Sequence, residues 1–245
     1  AAKLPRNIVF VEYKATAFLR EVQRQVDGVL SNMMKRSDED KDGTAASAAA
    51  DDIIRSRVGT YEGDVTLIPR PGRAFVSPAN SLGFMDGGID YAYSRIMFPG
   101  CENRLRERIR AVGLRTILGR PYLPIGSAIA LDFYDPAATA GGDDEEARGA
   151  YLISAPTMFM PHDVSDTRNA YHAFKATLTA FERFVASRDA RVDTLVCPAL
   201  CCGYGRMPPE ESARQIADAL RDFVAEHDDD PDADGDGDGG AQKQT

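Results

Sequence analysis

No tryptophan, three histidines and four cysteines occur in these 245 residues, and each scarcity closes an option. Cys197, Cys201 and Cys202 crowd into one short segment, whereas a disulfide framework spreads its cysteines along the chain. Zinc sites add histidine or a second cysteine pair at suitable spacing, which His162, His172 and His227 do not provide, so no metal is expected. A thiolate nucleophile needs a neighbouring base that the sequence does not place, and the cysteines read as small buried hydrophobes. No apolar run approaches the ~20 residues of a membrane-spanning helix, and no charged-then-apolar leader opens the sequence. A basic excess is also missing: Lys and Arg number 29 against 38 Asp and Glu, a net of −9. Residues 228–245 hold seven Asp and one Lys, and 135–149 hold five carboxylates and one Arg, so the remainder is close to neutral. That balance excludes the electrostatic footprint of a nucleic-acid binder. Neither nucleic acid nor a membrane is expected as a partner, and the expected location is cytoplasmic or nuclear.

What is present suits one α/β domain. At 43% hydrophobic residues, the chain is long enough to bury a sizeable core. Ile8-Val9-Phe10-Val11 reads as a buried parallel strand within 7–13, followed by a helix over 15–30 with Phe18, Val22, Val26 and Val29 on one face. Residues 31–51 turn polar and Ala-rich and read as a surface insertion, as does the acidic segment 135–149. Further strands are expected over 58–69, at 74–76, over 127–133 and 151–155, and at 194–197. Helices are expected from Asp90 to about Phe98, from Asn103 to about Leu118, over 166–187 and from Pro208. Tyr171, Phe174, Leu178, Phe181 and Val185 mark a core stripe, as do Ala213, Ile216, Leu220, Phe223 and Val224. The Asp/Gly tail 228–245 has the composition of a disordered segment.

The chemistry concentrates after the strand at 74–76, in S-P-A-N-S-L-G-F-M-D-G-G-I-D from Ser77 to Asp90. Loops leaving the carboxyl ends of strands in an α/β sheet are where ligands sit. The Asn80 carboxamide can donate to and accept from sugar hydroxyls or hold a turn. Asp90 can accept a proton from water or cap a helix, and Asp86-Gly87-Gly88 can be a plain turn. The pair His162-Asp163 can serve acid–base chemistry or hold its loop, and neighbouring residues rarely aim at one substrate atom. On residue chemistry alone both uses stand.

Ser77-Pro78-Ala79-Asn80 and Gly87-Gly88-Ile89-Asp90 resemble the first ligand loop of macro domains, and Asn80 and Asp90 keep the ten-residue separation of the ADP-ribosyl hydrolases among them. Gly63-Asp64-Val65-Thr66 resembles the motif that precedes that loop. Cys197-Pro198-Ala199-Leu200-Cys201-Cys202-Gly203-Tyr204-Gly205 resembles the late loop that holds a diphosphate on its amides. The S-P-A-N-S form, with Ala155-Pro156-Thr157-Met158 and Pro161-His162-Asp163-Val164 after it, is similar to a macro-like branch common in fungi. The resemblance implies a three-layer α/β/α macro-like domain over 1–227, with a central mixed, mostly parallel sheet. It implies ADP-ribose or an ADP-ribosylated protein as ligand, and no cofactor.

By the same resemblance Asp64 meets adenine, the Gly87-Gly88 and Gly203–Gly205 loops hold the diphosphate, with Tyr204 on a ribose, Asn80 and Asp90 act on the distal ribose, and Val65, Ile89 and Cys202 belong to the ligand-binding set; the Arg206 guanidinium can add a charge-assisted contact to the diphosphate. Three functions fit: hydrolysis of mono-ADP-ribose from protein without a metal, a non-catalytic reader of ADP-ribosyl groups, and a phosphatase or nucleotide hydrolase using the same pocket. Phe84, Met85 and Asp86 stand where the family has glycines.

Overall fold

The computed structural model describes residues 4–13, 17–26, 56–133, 149–186 and 192–228. The expected insertion at 31–51, the acidic segment as far as 148, Val29 and the tail beyond 228 lie outside the described residues. In chain order the elements are β1 (Asn7–Glu12), α1 (17–26), β2 (Val58–Glu62), β3 (Arg73–Ser77), α2 (Gly88–Ala92, continued by a π turn over Tyr93–Met97) and α3 (Cys101–Val112). They continue with β4 (Leu114–Arg115), β5 (Pro121–Tyr122), β6 (Ile129–Asp132) and β7 (Ala150–Ser154). Last come α4 (Asn169–Ala180, continued by a π turn over Phe181–Ala186), β8 (Thr194–Pro198) and α5 (Pro209–Asp228).

The main sheet has the order β2-β1-β8-β3-β7-β6, parallel throughout except for β6 against β7. Successive side chains on a strand point to opposite faces. On β3, Ala74 and Val76 therefore join one core while Phe75 enters the other. The first core packs Ile8, Phe10, Ile153, Leu195 and Cys197 against α1, α4 and α5. The second packs Val11, Leu152 and Val196 against α2, α3 and the π turn, where Phe75 meets Tyr93 and Phe98 edge-on. The result is three layers, with both expected helix stripes buried: Tyr171 to Val185 on α4 and Ala213 to Val224 on α5. His172, off the α4 stripe, is exposed.

Three element boundaries differ from the sequence reading. The strand expected to run to Pro69 stops at Glu62, because Gly63 turns to φ +152° and the Asp64 side chain accepts from the Thr66 amide, capping a 3₁₀ turn over Val65–Leu67. The helix expected to reach Leu118 stops at Val112 and gives way to the β4–β5 hairpin. A Cβ on Gly113 would lie 2.5 Å from the Ile109 carbonyl oxygen and 2.6 Å from that of Tyr122, so only glycine lets the chain leave the helix this close to the returning strand. The helix expected from Asp166 begins at Asn169, since the Thr167 hydroxyl bonds the Val164 carbonyl in the preceding turn.

Phe75 is fully buried on a strand with neighbours on both sides. Phe75→Ala should destabilise the domain by about 3–5 kcal/mol, read from urea unfolding, because the surrounding rings cannot close the cavity it leaves.

Candidate functional site

All five parallel strands deliver their carboxyl ends to one edge of the sheet, and there the exit loops enclose a cavity of about 600 Å³. Its wall takes Glu12 and Tyr13 after β1, Asp64 and Val65 after β2, and Pro78, Asn80, Phe84 and Asp86 through Asp90 after β3. Thr157, Met158 and Pro161 join from β7, and Pro198, Ala199 and Cys201 through Gly205 from β8. The loops are tied together by backbone bonds. The Ser81 amide donates to the Met158 carbonyl at 2.9 Å, and the Val164 amide to that of Gly205 at 2.9 Å.

Asp90 lies in the first turn of α2, whose N-cap is Gly87, so it is not the cap. It is buried, and the Ser77 hydroxyl at the end of β3 donates to its Oδ1 at 2.6 Å. Desolvation pushes its carboxyl up to about 7, with the nearby Asp86 charge adding to the rise and the Ser77 bond opposing it. A group titrating near neutral pH beside a cavity can exchange protons with a bound molecule. One turn further on, Tyr93 is buried with its hydroxyl unpartnered among the described residues, and burial raises its pKa too.

Asn80 lines the cavity with its carboxamide committed to its own loop. Its Oδ1 accepts from the Leu82 and Phe84 amides at 3.1 and 3.4 Å, and its Nδ2 donates to the Phe84 carbonyl at 3.3 Å. The turn-holding use is thus realised, and Phe84 is held as part of the wall. Met85 anchors the same loop in the core, where its carbonyl accepts from the Ser94 hydroxyl at 2.9 Å.

In the same wall, Asp64 Oδ1 takes the Thr66 amide and hydroxyl at 2.9 and 2.8 Å, and these bonds hold its carboxyl below the usual range. Two glycine loops approach one another. A Cβ on Gly87 would lie 3.4 Å from the Tyr204 ring, which is 70% exposed. Gly88 takes φ +56° at the start of α2, whose first amides have no intrahelical acceptor. Gly205 leaves no room for a side chain, because a Cβ there would meet the Cys201 carbonyl oxygen at 2.5 Å and Val164 at 2.7 Å. Cys201 and Arg206, non-glycine residues at φ 64° and 54°, bracket this loop in a strained backbone.

Every residue that the macro-domain resemblance assigns to ligand or catalysis therefore lines this cavity except Arg206, and Asp163 of the His162-Asp163 pair is not part of the wall either. Arg206 is 77% exposed and points to Asp163 at 3.9 Å. His162 also stays outside the wall, with its Nδ1 2.5 Å from the Met160 carbonyl oxygen. Burial pushes the thiols of Cys201 and Cys202 up to about 12 and about 11, which leaves them protonated and poorly nucleophilic at neutral pH. Among the described residues no group of three or more His, Cys, Asp or Glu could hold a metal ion. Among the described residues the wall carries Glu12, Asp64, Asp86 and Asp90 but no Lys or Arg, so an anion bound against them would be held by backbone amides. Ser77 and Phe84 were not singled out. A serine at a strand end carries no signature for a buried carboxylate partner, whereas a bulky ring in a glycine-rich loop is visible in the sequence.

An Asp whose folded pKa is raised binds its proton more tightly folded than unfolded. Its contribution favours folding below the unfolded value and is lost as pH rises through about 7. The stability of Asp90→Asn relative to the parent protein should rise between pH 4 and 8, by on the order of 4 kcal/mol, in melts across that range. A pH-independent difference would show that the carboxyl titrates normally.

A profile described as macro-like domain matches residues 21–227. An uncharacterized protein of Aquifex aeolicus (strain VF5) is 29% identical over 148 residues, spanning 60% of this chain and 72% of that one. Among solved structures, the macrodomain of Mycobacterium tuberculosis DarG aligns with a TM-score of 0.48 at 17% identity, over 68% of this chain and 91% of that one. A glycine-to-valine mutant of the Oceanobacillus iheyensis macrodomain with ADPR aligns with a TM-score of 0.46 at 16% identity, over 67% and 76%. The match over 21–227, with the loops it brings to one cavity, means that the chain belongs to the macro-like domain family.

Proposed function

We propose that the cavity binds ADP-ribose, free or carried on a protein, and hydrolyses the bond between a single ADP-ribosyl group and its carrier without a metal. The observation that carries the reading is the meeting of the Gly87-Gly88 and Gly203–Gly205 loops over one cavity, with Asp64 and Asp90 in the same wall. Its size is within the ~300–1,000 Å³ of small-molecule sites. Adenine's exocyclic amine would donate to Asp64, and the diphosphate would lie on the amides of the two glycine loops. The distal ribose would reach the Asn80–Asp90 end. There ionised Asp90 would take a proton from a water as its oxygen attacks the anomeric carbon. The carbon–oxygen bond to the carrier breaks, and the carrier leaves with the electron pair and a proton from solvent.

A non-catalytic reader is favoured by one feature: the Asn80 carboxamide is already spent on its loop, so it cannot orient the ribose without rearranging. Turnover separates the two.

Gly203 has open space around its Cβ position, so Gly203→Glu should fold normally while placing a charge where the diphosphate lies. By calorimetric titration with ADP-ribose it should bind at least tenfold more weakly than the parent, about 1.4 kcal/mol or more. Absence of binding to the parent protein would refute the ligand.

For hydrolysis, release of ADP-ribose from a mono-ADP-ribosylated protein should increase with pH through about 7 as Asp90 ionises. Asp90→Ala should cost roughly 10²–10⁴-fold in rate while changing affinity little. Binding without turnover in the parent would leave the reader.

A further inference from the structure

The chain is acidic overall, yet one projecting unit has the opposite sign. Between Cys101 and Tyr122 there are six arginines against two glutamates, in a chain of net charge −9. Arg108, Arg110, Arg115 and Arg120 on α3 and the β4–β5 hairpin are exposed, and among the described residues none forms an ion pair. At the hairpin tip Ile117 and Leu118 are 104% and 95% exposed, flanked by Leu114 and Val112, each more than half exposed. The tip is an ordered turn. Gly119 takes φ +77°, its amide donates to the Thr116 carbonyl, and Arg115 Nη1 donates to its carbonyl at 3.0 Å.

We infer that the hairpin docks this protein on an anionic lipid surface, with Ile117 and Leu118 entering the acyl boundary and the surrounding arginines pairing with headgroup phosphates. Two aliphatic side chains on a narrow turn make a poor match for a flat protein face, but they fit the interfacial region of a bilayer. Reversible attachment of that kind needs an apolar and a basic signal together. Guanidinium groups suit phosphate oxygens through paired hydrogen bonds. The tip has no aromatic ring for base stacking, which sets it apart from a single-stranded nucleic-acid platform. The basic side chains and the apolar tip share this one unit, so both signals would meet the lipid together. Tyr122, at the end of the hairpin, packs edge-on against Phe159 at 5.6 Å, next to Met158 in the cavity wall. Docking would therefore hold that part of the cavity rim on the hairpin side. The inference goes beyond the proposed ligand and does not depend on it. It concerns attachment to a surface and not spanning: among the described residues no helix is long and apolar enough to cross a membrane.

Sedimentation of the 245-residue chain with lipid vesicles tests it. At low salt the protein should associate at least about tenfold more strongly with vesicles containing phosphatidylserine than with phosphatidylcholine alone, and high salt should release it. Ile117→Ser with Leu118→Ser should abolish most of the association, and Arg115→Gln with Arg120→Gln should weaken it about tenfold. All four positions are exposed and outside both cores, so the variants should keep the parent's fold. The inference is overturned if the parent ignores anionic vesicles, if the tip variant binds them undiminished, or if the arginines instead capture duplex DNA while vesicles stay bare.

Discussion

The hydrogen bond from Ser77 to Asp90 joins the end of the central strand β3 to the first turn of α2, and the shape of the loop between them depends on it. Between these anchors the chain has 12 residues in which to leave the sheet, turn and start a helix. Met85 in the core and the Asn80 side chain on its own loop fix the middle, and Gly88 supplies the left-handed backbone at the helix start. The bond sits where water is excluded, so the carboxylate has one hydroxyl donor in place of a hydration shell. Its ionised form is costly there, and its proton affinity rises accordingly.

Around that anchor, the proposed recognition rests on backbone more than on side chains. Among the described residues the cavity wall contains carboxylates and no cation, while its glycines at 87, 88, 203 and 205 leave the backbone there uncovered by side chains. Gly205 in particular admits nothing larger, because its neighbours Cys201 and Val164 already fill the space of a Cβ. Positive charge lies elsewhere, along α3 and the β4–β5 hairpin. A net charge near neutral for most of the chain thus hides two regions of opposite sign, one around the cavity and one on the hairpin.

Much of the fold was legible because burial imposes periodicity. The apolar runs of β1 and β8 and the stripes on α4 and α5 can only be satisfied in a sheet covered on both faces, and the structure places them so. Motif order also brought the right loops to one rim, since parallel strands put all their carboxyl ends together. Local turn chemistry was harder to read. The Asp64 cap that ends β2 and the Gly113 contact that ends α3 depend on atoms at hydrogen-bonding or van der Waals distance, which spacing does not report. The same holds for Arg206, which turns to Asp163, and for Ser77, whose importance lies in a partner 13 residues away. Charge is harder to read for a different reason: a sum over a segment discards position, and the arginines of 101–122 are balanced by acids remote from them in sequence.

The direct test is the titration of the Asp90 carboxyl itself, followed by carbon-13 NMR in the parent protein and in Ser77→Ala. The account requires a midpoint near 7 in the parent and a higher one without the serine hydroxyl, since that bond favours the ionised form. A midpoint close to the ordinary ~3.9 of an aspartate, unchanged by loss of Ser77, would contradict it and remove the proton acceptor on which the proposed chemistry rests.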